Sequence, residues 1–157
     1  MDFQELYLST SGRISRKTWW IGVLGLIVAS IALSLLLGLI GLGIYGWGQL
    51  IVFLLLVYPA WCIGVKRRQD RDNNALDYKI MAVVSGAMTI LQAFGIGMAA
   101  TTIGAGIVIM QPTGIMMALQ LVVAVFGIYI LIQLGFLKGT AGPNTYGPDP
   151  LGYVATA

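Results

Sequence analysis

The sequence predicts an all-α, polytopic membrane protein with four transmembrane helices in two hairpins and both termini in the cytoplasm. Residues 19–65 and 80–137 contain no Asp, Glu, Lys or Arg. Each stretch is long enough for two helices, since one crossing takes about 20 apolar residues. All nine Lys and Arg residues lie outside these stretches, close to their ends. Because basic residues are retained on the cytoplasmic side, both stretches are predicted to begin and end there.

The composition excludes several classes of protein. Of the 157 residues, 58% are hydrophobic and 10% are charged, whereas a soluble domain carries about 25% charged residues. The chain has no histidine and a single cysteine, Cys62, which excludes imidazole-ligated metals, Ser-His or Cys-His catalysis and an internal disulfide. We therefore expect no catalytic residue, no cofactor and no metal. Nucleic-acid binding is not expected either, because no basic patch is interleaved with aromatic residues.

The N-terminal half is predicted to form one hairpin. Residues 1–18 form a cytoplasmic, interfacial segment in which Phe3, Leu6 and Tyr7 face lipid. The transmembrane domain covers residues 19–138, with its first span at about 19–42. A glycine-rich turn at 41–49 ends this span, and the second span runs over about 50–65, with Pro59 expected to kink it.

The second hairpin follows a cytoplasmic loop, 66–78. The third span is predicted at 79–98 or longer, and its end is left open between residues 95 and 110, where Gly, Ala and Thr are frequent. The sequence QPTG at 111–114 predicts a turn. The fourth span covers 115–137, and residues 139–157 form a turn-rich cytoplasmic tail.

Small and polar residues within the spans indicate where helices touch. Small residues at a spacing of four allow close backbone approach, either within the bundle or against another subunit. These helix-packing residues are Ser30, Ser34, Gly38, Ala82, Gly86, Ala93 and Gly97. The largest polar groups of the spans are Gln92, Gln120 and Gln133. They form interhelical hydrogen bonds or, alternatively, face one another along a neutral polar pathway.

Polar residues on the predicted cytoplasmic face form a candidate cluster. We expect the tail to fold back over the bundle, so that Asp149 or Asp70 pairs with Arg13 or Arg67. Asn144 and Tyr146 then cap backbone groups. Such a cluster is a packed polar plug or a lipid-headgroup site, since each juxtamembrane cation attracts anionic lipid by about 1 kcal/mol. Its candidate members are Arg13, Arg16, Arg67, Arg68, Asp70, Arg71, Asn144, Tyr146 and Asp149.

Three motifs in this order resemble one family. Residues 11–20 read SGRISRKTWW, similar to the pattern G-R-x-x-R-x-x-[FY]-W. Residues 66–72, KRRQDRD, are similar to R-R-x-H-D, and residues 139–150, GTAGPNTYGPDP, match G-x-x-G-x-N-x-Y-G-x-D-P. The chain thus resembles the uncharacterised bacterial inner-membrane family known as domain of unknown function 805. It departs from the pattern at Gln69, where the family has histidine, and at 74–77, where NALD replaces S-G-W-W.

The resemblance implies a small multi-span protein of the bacterial cytoplasmic membrane and brings no reaction, ligand or cofactor with it. Uncharged spans and small-residue faces favour a non-enzymatic accessory or assembly subunit of a larger membrane complex. The alternative is a small channel or transporter for a neutral or lipidic solute, which requires the three glutamines to face one another. The expected partners are membrane lipids and other membrane-protein subunits, or further copies of the chain.

Overall fold

The computed structural model describes residues 2–42, 46–104 and 106–152. Residues 43–45 of the predicted 41–49 turn and the last five residues of the predicted tail lie outside the described residues. Five α-helices and one antiparallel hairpin follow along the chain. They are α1 Phe3–Leu8, α2 Arg16–Leu39, α3 Trp47–Gln69, α4 Leu76–Ala93, β1 Met98–Ile103, β2 Ile107–Pro112 and α5 Gly114–Leu131. A π-helix, Ile132–Phe136, continues α5.

Short polar side chains define where the helices begin. The Ser15 hydroxyl accepts a hydrogen bond of 3.2 Å from the Thr18 backbone N–H and caps α2. Thr113 caps α5 in the same way, through Met116 N–H at 3.4 Å. The Asn74 carboxamide accepts from the Leu76 N–H at 3.0 Å at the start of α4. Each cap satisfies a donor that the first helical turn leaves without a partner.

Three helices are long and apolar enough to cross a membrane. They are Arg16–Leu39, Trp47–Gln69 and Gly114–Phe136, of 24, 23 and 23 residues. Among the described segments, α4 is the fourth long helix and is not in this group. It has 18 residues and carries Asp77 and Lys79 near its N-terminus. The fold is mostly helical, as the sequence predicts, and contains three candidate spans.

The helices pack in chain order. α2 packs on α3, α3 on α4 and α4 on α5, and the π-helix closes against α2 and α3. The buried core joins α1 and the segment before α2 to α2, α3, α5 and the π-helix. It consists of Leu6, Tyr7, Ile14, Trp19, Ile63, Ile130 and Leu134. The core therefore lies at the end of the bundle where the π-helix meets α2 and α3.

The segment after α4 corrects the prediction of an all-α chain. α4 ends at Ala93, and residues 98–112 form a hairpin whose register pairs Met98 with Pro112 and Ile103 with Ile107. Gly95 and Gly97 both have positive φ, +71° and +75°, which ends the helix and turns the chain. The strands are rich in Thr, Ile and Val, and β-branched residues of this kind favour strands. The third helix therefore does not extend to residue 98.

The N-terminal segment also differs from its prediction. Phe3 is exposed, but Leu6 and Tyr7 are buried against the core rather than facing away from it. The Tyr7 hydroxyl donates a 3.0 Å hydrogen bond to the Gly22 carbonyl of α2. The Lys66 ammonium of α3 donates to the carbonyls of Glu5 and Leu6. α1 is thus fixed to the first two long helices through both side chains and backbone.

The turn between α3 and α4 is shorter than the predicted 66–78 loop. α3 continues to Gln69, so the basic residues 66–68 lie on its last helical turn. Residues 70–75 form the turn, and α4 begins at Leu76. The cations therefore occupy fixed helical positions, which determines the partners that they reach.

Candidate functional site

Polar contacts join three distant parts of the chain into one cluster, which we call the charged end. It contains residues 13–20, 66–77 and 129–149. Of the nine Lys and Arg residues, six donate hydrogen bonds to other parts of the protein. These six are Arg13, Arg16, Lys66, Arg67, Arg68 and Arg71. The charged end is therefore an ordered network and not a set of solvated side chains.

Arg13 ties the N-terminal segment to the C-terminal tail. Its Nε donates to the Asp70 carboxylate at 3.1 Å, and its Nη2 lies 3.1 Å from the same oxygen. Nη1 donates to the carbonyls of Gly142 and Gly147 at 2.7 and 3.2 Å, and Nη2 donates to the Thr140 carbonyl at 2.6 Å. These contacts engage all three guanidinium nitrogens and match a donor set that only arginine provides.

Asp70 lies at the centre of the charged end and is 3% exposed. Its carboxylate receives hydrogen bonds from Arg13 and from the fully buried Arg67. Burial raises the pKa of Asp70 above its usual value, and the charges of Arg67 and Arg13 act in the opposite direction. The two arginines thus compensate the burial of one carboxylate. This pairing agrees with the sequence-based expectation that Asp70 meets Arg13 or Arg67.

The contact between Asp70 and the tail requires glycine at position 139. A Cβ at Gly139 would lie less than 3.0 Å from the Asp70 carboxylate. The Asp70 carbonyl accepts from both the backbone N–H and the hydroxyl of Thr140, at 2.8 and 3.1 Å. The tail therefore crosses directly over the turn that follows α3.

The end of the π-helix is capped by side chains from α2, α3 and the following turn. The carbonyls of residues 134 and 137 accept from Arg67. The Gly135 carbonyl accepts from the Trp20 indole at 3.1 Å, and the Phe136 carbonyl accepts from Arg16 at 3.0 Å. Arg71 contacts the carbonyl of Gln133 at 3.4 Å. Helix ends leave their last carbonyls without intrahelical donors and attract cations, so this capping uses the positive charges directly.

A second ion pair joins α3 to the start of α4. Arg68 donates through Nε and Nη2 to the two oxygens of Asp77, at 3.1 and 2.7 Å. The Tyr129 hydroxyl of α5 donates to the same carboxylate at 3.0 Å. The Gln133 carboxamide oxygen accepts from both Arg68 and Arg71. This group fixes α3, α4 and α5 to one another at the charged end.

The tail is held by its own amide and carboxylate groups. The Asn144 carboxamide donates to the Gln69 carbonyl at 2.9 Å and to the Thr140 hydroxyl at 2.8 Å. Its oxygen accepts from the Tyr146 N–H at 2.9 Å. Asp149 accepts from the Gly142 N–H at 2.9 Å rather than from an arginine. Asp149 therefore caps tail backbone, and Asn144 joins the tail to the end of α3. Of Asp70 and Asp149, it is Asp70 that pairs with Arg13 and Arg67.

The predicted helix-packing residues differ in their surroundings. Gly86 packs against the Phe53 ring, and Gly97 packs against Met116 across the base of the hairpin. Ala93 is buried, and Ala82, Ser30 and Ser34 are half-buried. Ser30 donates to its own helix at the Ile27 carbonyl, 2.8 Å away. Gly38 is exposed, and a Cβ there would meet nothing within 4 Å.

The closest approaches between helices occur at glycines that the small-residue pattern does not single out. Tyr78 lies against Gly64, and its hydroxyl donates to the Ala60 carbonyl at 2.7 Å. The Tyr7 hydroxyl lies against Gly25, and Trp20 lies against Gly135. In each case an aromatic ring, not a second glycine or alanine, fills the space. The signal in the sequence that could have indicated these sites is an aromatic residue near a helix end.

The three glutamines do not meet. Gln133 bonds to Arg68 and Arg71 at the charged end. Gln120 lies thirteen positions earlier, which is about 20 Å along a helix axis. Gln92 lies near the opposite end of α4, just before the hairpin. Gln133 is therefore part of the charged end and does not face the other two.

Contacts within the chain occupy most charged groups of the charged end. Six of its cations donate to carbonyls, carboxylates or the Gln133 carboxamide, and its carboxylates accept from N–H donors. Within residues 2–42, 46–104 and 106–152, no three His, Cys, Asp or Glu side chains gather as a metal-ligand group. The arrangement neutralises buried charge, caps helix ends and joins the two termini.

The comparisons with known proteins agree with the motifs. No curated protein and no solved structure matches the chain significantly. The sequence profile of the family described as "Protein of unknown function (DUF805)" matches residues 7–148. This range includes Arg13, Asp70, Gly139 and Asn144, and so covers the network that joins the two ends of the chain. The chain belongs to the family of proteins of unknown function DUF805.

Proposed function

We propose that the protein is an accessory or assembly subunit of a larger complex in the bacterial cytoplasmic membrane, without enzymatic activity. It crosses the membrane four times, and both termini lie in the cytoplasm. The observation that carries this proposal is the contrast between a polar end whose buried charges are paired within the chain and two apolar helices left uncovered. The buried polar groups stabilise the fold, and the uncovered helices are the surface through which the protein contacts its partner.

The four-span arrangement is supported by where α4 begins and ends. Asp77 in its first turn is paired with Arg68 at the charged end. The helix then runs 18 residues, about 27 Å at 1.5 Å per residue, towards the hairpin. A bilayer core is about 30 Å thick, so α4 and the adjacent chain suffice for a third crossing. With basic residues retained in the cytoplasm, the charged end is the cytoplasmic end.

The low burial of α2 and α5 supports a function that depends on binding to another membrane protein. In the most apolar 18-residue stretch of α2, only 6% of the residues are buried. The buried share is 11% in the corresponding stretch of α5 with its π-helix and 39% in that of α3. Ser30, Ser34 and Gly38 recur along α2, and the space beside Gly38 is open. Helices in membranes associate through such small residues, because close packing is the main attraction between them in lipid. The α2 face is therefore the proposed contact with another membrane protein.

A channel or transporter for a neutral solute would require Gln92, Gln120 and Gln133 to face one another. Gln133 instead accepts hydrogen bonds from Arg68 and Arg71, which argues against this alternative.

The test is gentle extraction from native membranes followed by native mass spectrometry. We expect a discrete larger assembly of fixed stoichiometry. Gly38→Leu fills the open position on the small-residue face and is expected to disperse this assembly. Leu39→Phe is the matched control, because it enlarges an adjacent side chain that is already 84% exposed. A lone chain in every sample, or equal behaviour of the two variants, contradicts the proposal.

A further inference from the structure

Three basic residues at one edge of the charged end are exposed. Arg16, Lys17 and Lys138 lie where the start of α2 meets the end of the π-helix. Arg16 donates one hydrogen bond, from Nη1 to the Phe136 carbonyl, and a guanidinium has five N–H donors. These three residues, which we call the basic edge, contrast with the buried Arg67 and Lys66. They retain donors that have no acceptor in the part of the chain that the structure describes.

Two cavities open along the basic edge. The first has a volume of about 390 Å³ and is lined by Arg16 and Lys138 together with the hydroxyl residues Ser15 and Thr140. The second has a volume of about 360 Å³ and is lined by Arg16, Lys17 and Trp20. Both include Ser15, Arg16 and Leu151, so they are adjacent. Volumes of this size are typical of small-molecule sites.

The carboxylates of the first cavity do not cancel its positive charge. Asp70 lines it but is already paired with Arg13 and Arg67. Asp149 lines it too, and its two oxygens accept from the backbone N–H groups of Gly142 and Leu151. Backbone N–H groups carry no net charge, so Asp149 keeps its negative charge. The three cations of the basic edge outnumber this one carboxylate, and the balance of charge around the cavities is positive, which favours an anion.

An apolar surface continues from the second cavity. The Trp20 and Phe136 rings meet edge to face, with centroids 6.0 Å apart, and the two residues are 41% and 59% exposed. Trp20 is fixed by its indole hydrogen bond to the Gly135 carbonyl. A cationic pocket that leads directly onto exposed aromatic rings matches a ligand with a phosphate at one end and hydrocarbon at the other.

We propose that the basic edge binds the phosphate of an anionic membrane phospholipid, whose acyl chains lie over Trp20 and Phe136. Arg16, Lys17 and Lys138 surround the phosphate, and Ser15 and Thr140 supply hydroxyl groups to the headgroup. The inference rests on the proposed membrane embedding with the charged end at the bilayer surface. It does not depend on the accessory role.

The test is native mass spectrometry of the purified chain in detergent, with phosphatidylglycerol or phosphatidylcholine of the same acyl chains added. We expect the wild type to retain phosphatidylglycerol in preference. Lys17→Gln combined with Lys138→Gln is expected to weaken that retention about tenfold or more, since two cations are removed. Lys79→Gln, which removes a cation that lines neither cavity, is the control and is expected to leave retention unchanged.

Three results would overturn the proposal. Equal retention of both lipids by the wild type excludes an anionic-lipid site. If Lys79→Gln loses as much phosphatidylglycerol as the double variant, retention depends on the net charge of the protein and not on the basic edge. Binding of inorganic phosphate by the wild type, lost in the double variant and without any lipid preference, assigns the cavities to a soluble phosphate compound. Because the purified chain is used, failure to find a protein partner leaves this test unaffected.

Discussion

The Tyr78 ring lies directly against the Cα of Gly64. A Cβ at position 64 would lie less than 3.0 Å from two ring carbons and the hydroxyl oxygen of Tyr78. That hydroxyl donates to the Ala60 carbonyl at 2.7 Å. The first turn of α4 is therefore packed onto the last turns of α3 without an intervening side chain. The short turn of residues 70–75 joins these two helices, and the contact fixes the angle between them.

Gly64→Ala is expected to destabilise the protein by about 1–3 kcal/mol, because the methyl group overlaps a ring that is held in place by its hydrogen bond to the Ala60 carbonyl. The measurement is thermal unfolding in detergent micelles. Gly38→Ala is the control, since its methyl group enters open space, and its effect is expected to be within about 0.5 kcal/mol. If the two alanines have equal effects, the packing of Tyr78 on Gly64 is not a determinant of stability.

Arg13→Gln is expected to release the tail and to cost about 3–5 kcal/mol, because it leaves Asp70 with one arginine and the tail carbonyls without donors. Digestion with a protease that cleaves after aromatic residues reports this release as faster cleavage at Tyr146. Arg13→Lys is expected to be intermediate, since an ammonium keeps the charge but not the planar donors. Lys17→Gln, at an exposed position nearby, is the control. Slow cleavage in Arg13→Gln would mean that the tail is held without Arg13.

Gly139→Ala tests the crossing of the tail over Asp70. The added methyl group overlaps the Asp70 carboxylate and is expected to separate it from Arg13, lowering the midpoint of thermal unfolding. Gly114→Ala is the matched control, because a Cβ at that position meets nothing within 4 Å. An unchanged midpoint in Gly139→Ala would show that the tail shifts freely away from Asp70.

The proposed four-span topology predicts which positions an impermeant thiol reagent reaches in intact cells. In a Cys62→Ala background, Asn73→Cys is expected to be shielded, because residue 73 lies in the turn at the charged end. Trp47→Cys and Gln111→Cys lie at the other end and are expected to label. Labelling at position 73 before permeabilisation would show that the charged end lies outside the cytoplasm and would contradict the proposed topology. Labelling at 47 with protection at 111 would leave α4 on one side of the membrane.

Much of the fold can be predicted from the sequence, because the positions of charged residues and the lengths of the apolar stretches determine where long helices form. Two uncharged stretches predict the long helices, and the clustering of Arg13, Arg67 and Asp70 at their ends predicts a shared polar region. The hairpin at 98–112 was not predicted, since short runs of Thr, Ile and Val suit either a helix in lipid or a strand. The two glycines with positive φ decide between these structures, and φ is not visible in the sequence.

The sequence predicts which residues lie at the charged end better than it predicts which hydrogen-bond partner each of them has. The pairing of Arg67 with the carbonyls of residues 134 and 137 joins positions about seventy residues apart, and nothing local specifies it. The same holds for Trp20 and Gly135, which meet only because the π-helix directs its carbonyls towards α2. Residue type indicates that a cation needs a partner, and the bundle determines which one it finds.

The capping of the π-helix by residues that precede it in the sequence has a consequence during synthesis of the chain. Arg16, Trp20, Arg67 and Arg71 all leave the ribosome before the carbonyls of residues 133–137 exist, and chains fold from the N-terminus during synthesis. Until then the carbonyls of residues 133–137 are missing as acceptors, and Arg67 has only the Asp70 carboxylate beside it. A nascent chain that stops short of residue 133 therefore leaves donors of these side chains unused. Completion of the last helix supplies the acceptors, so finished molecules and fragments differ in the donors that they expose.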